Sequence, residues 1–118
     1  TMSPSTKKYG LIAIKTLLTV AFVAAGTAKF AGVEMMVGTF DAIGWGQWFR
    51  YLTGSIEIVS AVLLWVRGRE WIGAGLLTST MGAAVLFHIL VLGPTLVPAV
   101  ILGILSAFVF MTHRPALA

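Results

Sequence analysis

The chain contains no cysteine. That excludes disulfides, thiol redox chemistry, thiolate metal sites and a cysteine nucleophile. Histidine is also scarce: His88 and His113 are the only two and lie far apart. No metal-ligand spacing arises, so no metal is expected. Acidic side chains number four, and charged residues of both signs make up 10% of the chain. Average soluble proteins carry roughly 25% charged residues. A chain of 118 residues with so few charges cannot cover a soluble surface, and lipid must be the solvent for most of it. Glycine-rich phosphate loops and GxGxxG patterns are missing, as is any basic stripe interleaved with aromatics. Nucleic acid is therefore not an expected partner. There is no internal repeat, no low-complexity tract and no separate soluble domain, so residues 1–118 read as one transmembrane domain.

What is present is apolar length. Hydrophobic residues make up 58% of the chain. A spanning helix needs about 20 mostly apolar residues to cross a hydrocarbon core about 30 Å thick. Four segments qualify: about Tyr9–Phe30, Trp48–Val66, Trp71–Leu92 and Thr95–Met111. The expected fold is an all-α membrane protein, an antiparallel bundle of four transmembrane helices. The first run is too long for a signal-peptide core, and Lys29 falls where a small-residue cleavage site belongs, so a retained helix is expected. Arg67-Gly68-Arg69-Glu70 and Gly93-Pro94 are tight turns, with the proline suited to the first turn of a new helix. The one sizeable loop is 31–47. It carries Val33, Met35, Met36, Val37 and Phe40 before Gly44-Trp45-Gly46, the pattern of a short interfacial helix followed by a turn.

Orientation follows from the basic residues. Lys7, Lys8, Arg67, Arg69 and Arg114 share one side, with Lys15 near it. The other side has Lys29 and Arg50 within helix ends, and a loop with Glu34 and Asp41. The positive-inside rule puts both termini in the cytoplasm and loop 31–47 outside, in a multi-pass protein of the cell inner membrane. Trp45, Trp48, Tyr51, Trp65 and Trp71 stand near the span boundaries, as an aromatic belt requires.

Ionisable side chains inside a bilayer are costly and need partners, and they mark functional sites by default. Here they are Lys15, Lys29, Glu57 and His88. Glu57 lies nine residues beyond Trp48, near the midplane at about 1.5 Å per residue. Lys29 and His88 lie near the outer ends of their spans. Lys15, near the cytoplasmic end, is expected to snorkel, and Arg50 to act as an anchor. Residues three and four apart share a helix face. The stripes are Lys15, Thr19, Phe22, Gly26 and Lys29; Arg50, Thr53, Gly54, Glu57 and Ser60; Gly73, Leu77, Thr80, Met81, Ala84 and His88; and Ala99, Gly103, Ser106 and Ala107. Polar stripes that coincide with small residues should point inward. They predict a pocket lined by Lys29, Glu57 and His88 that opens toward the outer leaflet, with Trp45 in the loop as its cap. The blander reading makes Lys29 and Glu57 a clasp between helices and leaves His88 bonded to a carbonyl.

These residues resemble the DoxX-like family of small four-helix membrane proteins. The matching pieces are Ala25-Gly26-Thr27-Ala28-Lys29-Phe30, Leu52-Thr53-Gly54-Ser55-Ile56-Glu57, and Met81-Gly82-Ala83-Ala84-Val85-Leu86-Phe87-His88. Lys15 stands where the family commonly has a basic residue. The resemblance covers nearly the whole chain and implies Lys29, Glu57 and His88 as the family's polar positions. It also implies several roles: subunits of thiosulfate:quinone oxidoreductase, associates of terminal oxidases, members of oxidative-stress membrane complexes, and helpers in receptor assembly. Lacking cysteine and any added soluble domain, this chain is not expected to be a self-contained redox enzyme.

Three functional readings stay open. In the first, the pocket binds a lipophilic molecule with a polar head, such as a quinone, as accessory to a membrane redox or stress-response complex. Lys29 and His88 would then contact carbonyl oxygens, and Glu57 would accept or supply protons. In the second, Glu57 and His88 are the catalytic acid–base pair of a membrane-embedded enzyme acting on a lipid-soluble substrate. In the third, the chain is an assembly factor for another membrane protein, or associates with its own copies, and the polar cluster is structural.

Overall fold

A serine followed by a proline opens the first helix well before its apolar run begins. In the computed structural model, which describes residues 3–93 and 96–114, α1 spans Pro4–Ala31. The Ser3 hydroxyl accepts from the Thr6 amide at 3.1 Å, and Pro4 occupies the first turn, where a missing N–H costs nothing. At the other end Gly32 adopts φ 67° and ψ 39°. Its N–H reaches the Lys29 carbonyl at 3.3 Å, and the Val33 N–H reaches the Ala28 carbonyl at 3.4 Å. This is a Schellman closure, which needs a residue free to turn left-handed.

The remaining elements are α2 (Glu34–Ile43), α3 (Trp48–Leu63), α4 (Glu70–Phe87), a π-helical segment (His88–Leu92) and α5 (Val97–His113). The described residues are thus all-helical, with no strand. The short helix expected in loop 31–47 is present as α2. It stops at Gly44, φ 84°, whose N–H bonds to the Phe40 carbonyl at 3.2 Å. α3 ends three residues short of the expected Val66, because Trp65 and Val66 bond back three residues to Val62 and Leu63 and tighten the chain into the turn. The third run is not one regular helix: it loosens to π geometry from His88 onward. Pro94 of the expected Gly93-Pro94 turn, and Thr95, the expected start of the fourth span, lie outside the described residues.

The long helices pack in chain order: α1 on α3, α3 on α4, α4 on α5, with α5 returning lightly to α1. Each neighbouring pair runs antiparallel. Lys15 meets Trp65 while Lys29 meets Glu57, so α1 rises as α3 descends. Gly73 of α4 lies against Ser60, Leu63 and Leu64 of α3, and Gly75 and Gly103 make contacts with Phe110 and Met81 that reverse α4 against α5. Leu18, Phe22, Ala61, Leu64, Ala74, Leu77, Met81, Ala99 and Val109 form the interior. All four inward stripes read from the sequence face this side, their members buried or half-buried.

The outer surface is as apolar as the interior. Leu17 and Val20 on α1, Val59 and Val62 on α3, Leu76 and Leu86 on α4, and Ile101, Ile104 and Phe108 on α5 are all exposed. Soluble monomers rarely present apolar patches of this extent. α1 and the continuous α4–π segment, Glu70–Leu92, are long and apolar enough to cross a membrane, and α5 is a shorter apolar helix.

Candidate functional site: a buried charge cluster at the α1–α3 crossing

Two glycines set the geometry. A Cβ on Gly26 would stand 2.6 Å from Ile58 Cγ1 and 3.0 Å from the Gly54 carbonyl oxygen. A Cβ on Gly54 would stand 3.2 Å from the Gly26 carbonyl oxygen and from Lys29 Cβ. The backbones of α1 and α3 therefore cross in near contact, as small residues at a membrane-type interface allow. Three residues beyond each glycine, on the same face, comes a charge: Lys29 on α1 and Glu57 on α3. Helical side chains lean back toward the N-terminus. The Lys29 stem leans from the end of α1 into the bundle, and its Nζ comes to rest 2.7 Å from Glu57 Oε1. Both are buried, Lys29 8% and Glu57 2% exposed.

A third ionisable group joins them. Arg50, expected as an anchor, is only 6% exposed. Its Nη1 donates to the Lys29 carbonyl oxygen, its Nε to Gln47 Oε1 at 2.8 Å, and its Nη2 to the Tyr51 hydroxyl at 3.2 Å. Gln47 in turn donates to Asp41 Oδ1 at 2.8 Å and to the Val37 carbonyl at 3.1 Å. Arg50 thus closes the C-terminal end of α1, where free carbonyls collect partial negative charge, and Gln47 ties that closure to α2. Among the described residues Lys29–Glu57 is an ion pair, and Glu70 faces the His113 ring at 3.7 Å, a pair of charges only when that ring is protonated. Arg50 has no carboxylate partner among them, so the cluster holds two buried cations and one acid.

Neither His88 nor Trp45 shares a hydrogen bond or ion pair with Lys29 or Glu57 among the described residues. The half-buried His88 opens the π segment, and its Nδ1 lies 2.8 Å from the Ala84 carbonyl oxygen. A carbonyl only accepts, so this nitrogen carries the proton, and Nε2 of a neutral ring is left as an acceptor. Trp45 is 57% exposed. Its ring lies 4.9 Å from Phe49 and 5.4 Å from Phe87, the residue just before His88. It bridges the loop to both α3 and α4. Two hollows of the surface, about 570 and 150 Å³, are lined by other residues, none of them Lys29, Glu57, His88 or Trp45.

Lys15 departs from expectation. It is 8% exposed rather than snorkelling, with Nζ 4.8 Å from the centre of the Trp65 ring. The Trp65 Nε1–H donates to Thr19 Oγ1 at 2.8 Å, which fixes the ring under the ammonium. Trp65 is therefore a clasp between α1 and the end of α3, in addition to any interfacial role. Sequence reasoning had its signals in view, since Lys15 and Thr19 are four apart, but the aromatic partner comes from a segment 46 residues away from Thr19.

No curated protein and no solved structure matches the chain. The model of the DoxX-like family matches residues 13–110, a stretch that holds the Gly26–Gly54 crossing, the Lys29–Glu57 pair, Arg50, His88 and Trp45. The apolar helices agree with a membrane protein, and the chain belongs to the DoxX-like family.

Proposed function

We propose that the chain is a multi-pass inner-membrane protein in which α1, α3, α4 with its π segment, and α5 all cross the bilayer, with both termini cytoplasmic. Its outer half binds a lipophilic molecule with an oxygen-bearing polar head, of quinone type, and serves a membrane redox or stress-response complex. The observation that supports this reading is the imbalance of the buried cluster: Lys29 is paired with Glu57, while Arg50 is held by neutral oxygens and the Tyr51 ring, 4.4 Å from its guanidinium, with no carboxylate partner among the described residues. Buried charge without a counter-charge is costly in a low dielectric. An electron-rich carbonyl or phenolate oxygen at that end would offset it. The roles then divide by chemistry. Lys29 and Arg50 donate to the head group, Glu57 balances Lys29 and exchanges protons, and His88 uses Nε2 as an acceptor for a hydroxyl. His88 thus suits the reduced, quinol form rather than the carbonyl contact expected from sequence. Trp45, resting on Phe49 and Phe87, covers the approach between α3 and α4. The protein supplies binding and proton handling, and electrons come from a partner.

The test is titration of purified protein in mild detergent with a short-tailed benzoquinone. Saturable quenching of tryptophan fluorescence, weakened at least tenfold in Glu57→Gln and reduced in amplitude in Trp45→Phe, is expected. Quenching that does not saturate, or that both variants leave unchanged, would remove the ligand reading. The cluster would then be a clasp in an assembly factor.

A further inference from the structure

A second feature lies at the opposite end of the molecule from the charge cluster. A hollow of about 570 Å³ runs along the first half of α4, lined by Trp71, Ile72, Gly75, Leu76 and Ser79, with Phe110 of α5 among its walls. From Trp71 to Ser79 it extends about 12 Å along the helix, most of one hydrocarbon leaflet. Its floor exists because Gly75 has no side chain: a Cβ there would stand 3.3 Å from the Phe110 ring. The hydroxyls along it are turned away from any occupant. Ser79 Oγ donates to the Gly75 carbonyl at 2.9 Å, and Thr78 Oγ1 to the Ala74 carbonyl at 2.7 Å. What the groove offers is methyl, methylene and aromatic surface.

The turn that precedes it in the chain has the opposite character. Arg67 and Arg69 are exposed in the turn that precedes Trp71. The one acid beside them, Glu70, faces His113 across 3.7 Å. Neither arginine pairs with a carboxylate among the described residues. An open apolar groove about 12 Å long, beginning at a tryptophan and preceded in the chain by a turn with two arginines and one acid, matches one occupant by both shape and charge.

We propose that this groove binds one anionic phospholipid, its acyl chain along Ile72, Gly75 and Ser79 and its phosphate on Arg67 and Arg69. Basic residues at the cytoplasmic ends of membrane helices attract anionic lipid, and a pocket between helices turns that attraction into a site. The site holds α4 against α5 at the end away from the Lys29–Glu57 pair, and it does not depend on what that pair binds.

The test is native mass spectrometry of delipidated chain given equal amounts of phosphatidylglycerol and phosphatidylcholine with identical acyl chains. One retained phosphatidylglycerol per chain is expected, preferred by about 10- to 30-fold, the factor that two arginines near the surface supply. Arg67→Gln with Arg69→Gln should bring the two lipids to parity. Ser79→Phe, which fills the exposed groove without touching the interior, should reduce retention of both. Lys8→Gln, a basic residue at the same end but outside the groove, should change neither. Parity in the unaltered chain, an equal loss in Lys8→Gln, full retention in Ser79→Phe, or a second copy of the chain in place of lipid would each overturn the proposal.

Discussion

Removing both members of the Lys29–Glu57 pair should cost less than the sum of removing each alone. The pair sits at 2.7 Å, with 8% and 2% exposure, beside the close crossing of Gly26 and Gly54. Breaking a buried pair typically costs about 3–5 kcal/mol, because the survivor is left charged and unpartnered. The two losses should differ. In Glu57→Gln the Lys29 ammonium, at the end of α1, can swing out toward the interface. In Lys29→Met the Glu57 carboxyl has no such route and must take up a proton to stay buried. Lys29→Met should therefore be the worse single variant. The double variant should recover about 1–3 kcal/mol relative to the sum of the singles. Unfolding in mixed detergent, followed by tryptophan fluorescence, gives the four stabilities of the cycle. Single losses below about 0.5 kcal/mol, or strict additivity, would refute the claim that the two groups are energetically joined.

Other expectations follow from individual contacts. Gly73→Ala should destabilise by about 1–3 kcal/mol, because its Cβ would stand 2.5 Å from the Ser60 carbonyl oxygen. Gly82→Ala meets nothing within 4 Å and should instead stabilise by about 0.5–1 kcal/mol through helix propensity, so opposite signs in one unfolding assay check the α3–α4 crossing. Trp65→Phe should lose the bond to Thr19, about 0.5–1.5 kcal/mol, and keep the aromatic face under Lys15, whereas Trp65→Leu should lose about 0.5–2 kcal/mol more. Because the chain has no cysteine, each introduced thiol is the only one. Met35→Cys, on exposed α2, should react with a membrane-impermeant reagent in intact cells, and Arg67→Cys only after lysis. The reverse pattern would invert the proposed topology.

The helices were legible because apolar run length is a one-dimensional property, and lipid-facing and core-facing residues both contribute to it. The Lys29–Glu57 pair was legible as faces, since Gly26 and Gly54 precede the two charges by the same three residues. Its closure at 2.7 Å depended on how the helices rotate, which the sequence does not state. The bonding of Arg50 is not written in the sequence, because one of its partners is the Lys29 carbonyl, a group that carries no side-chain identity. The resting place of Lys15 is hidden for a related reason. An ammonium can rest on an aromatic face, and Trp65 looked like one more belt residue. The π segment left no mark either, since His88–Leu92 continues the apolar run without glycine or proline. The earlier start of α1 was marked by Ser3 and Pro4, a capping signal that a count of apolar residues passes over.

The central claim, that the outer cluster holds a lipophile, is tested most directly by native mass spectrometry on protein released gently from its own membrane. The account predicts one quinone-like molecule per chain, lost in Glu57→Gln while the folded mass is retained. A chain carrying only phospholipid, or an unchanged adduct in Glu57→Gln, would contradict it and leave Lys29, Arg50 and Glu57 as a structural clasp.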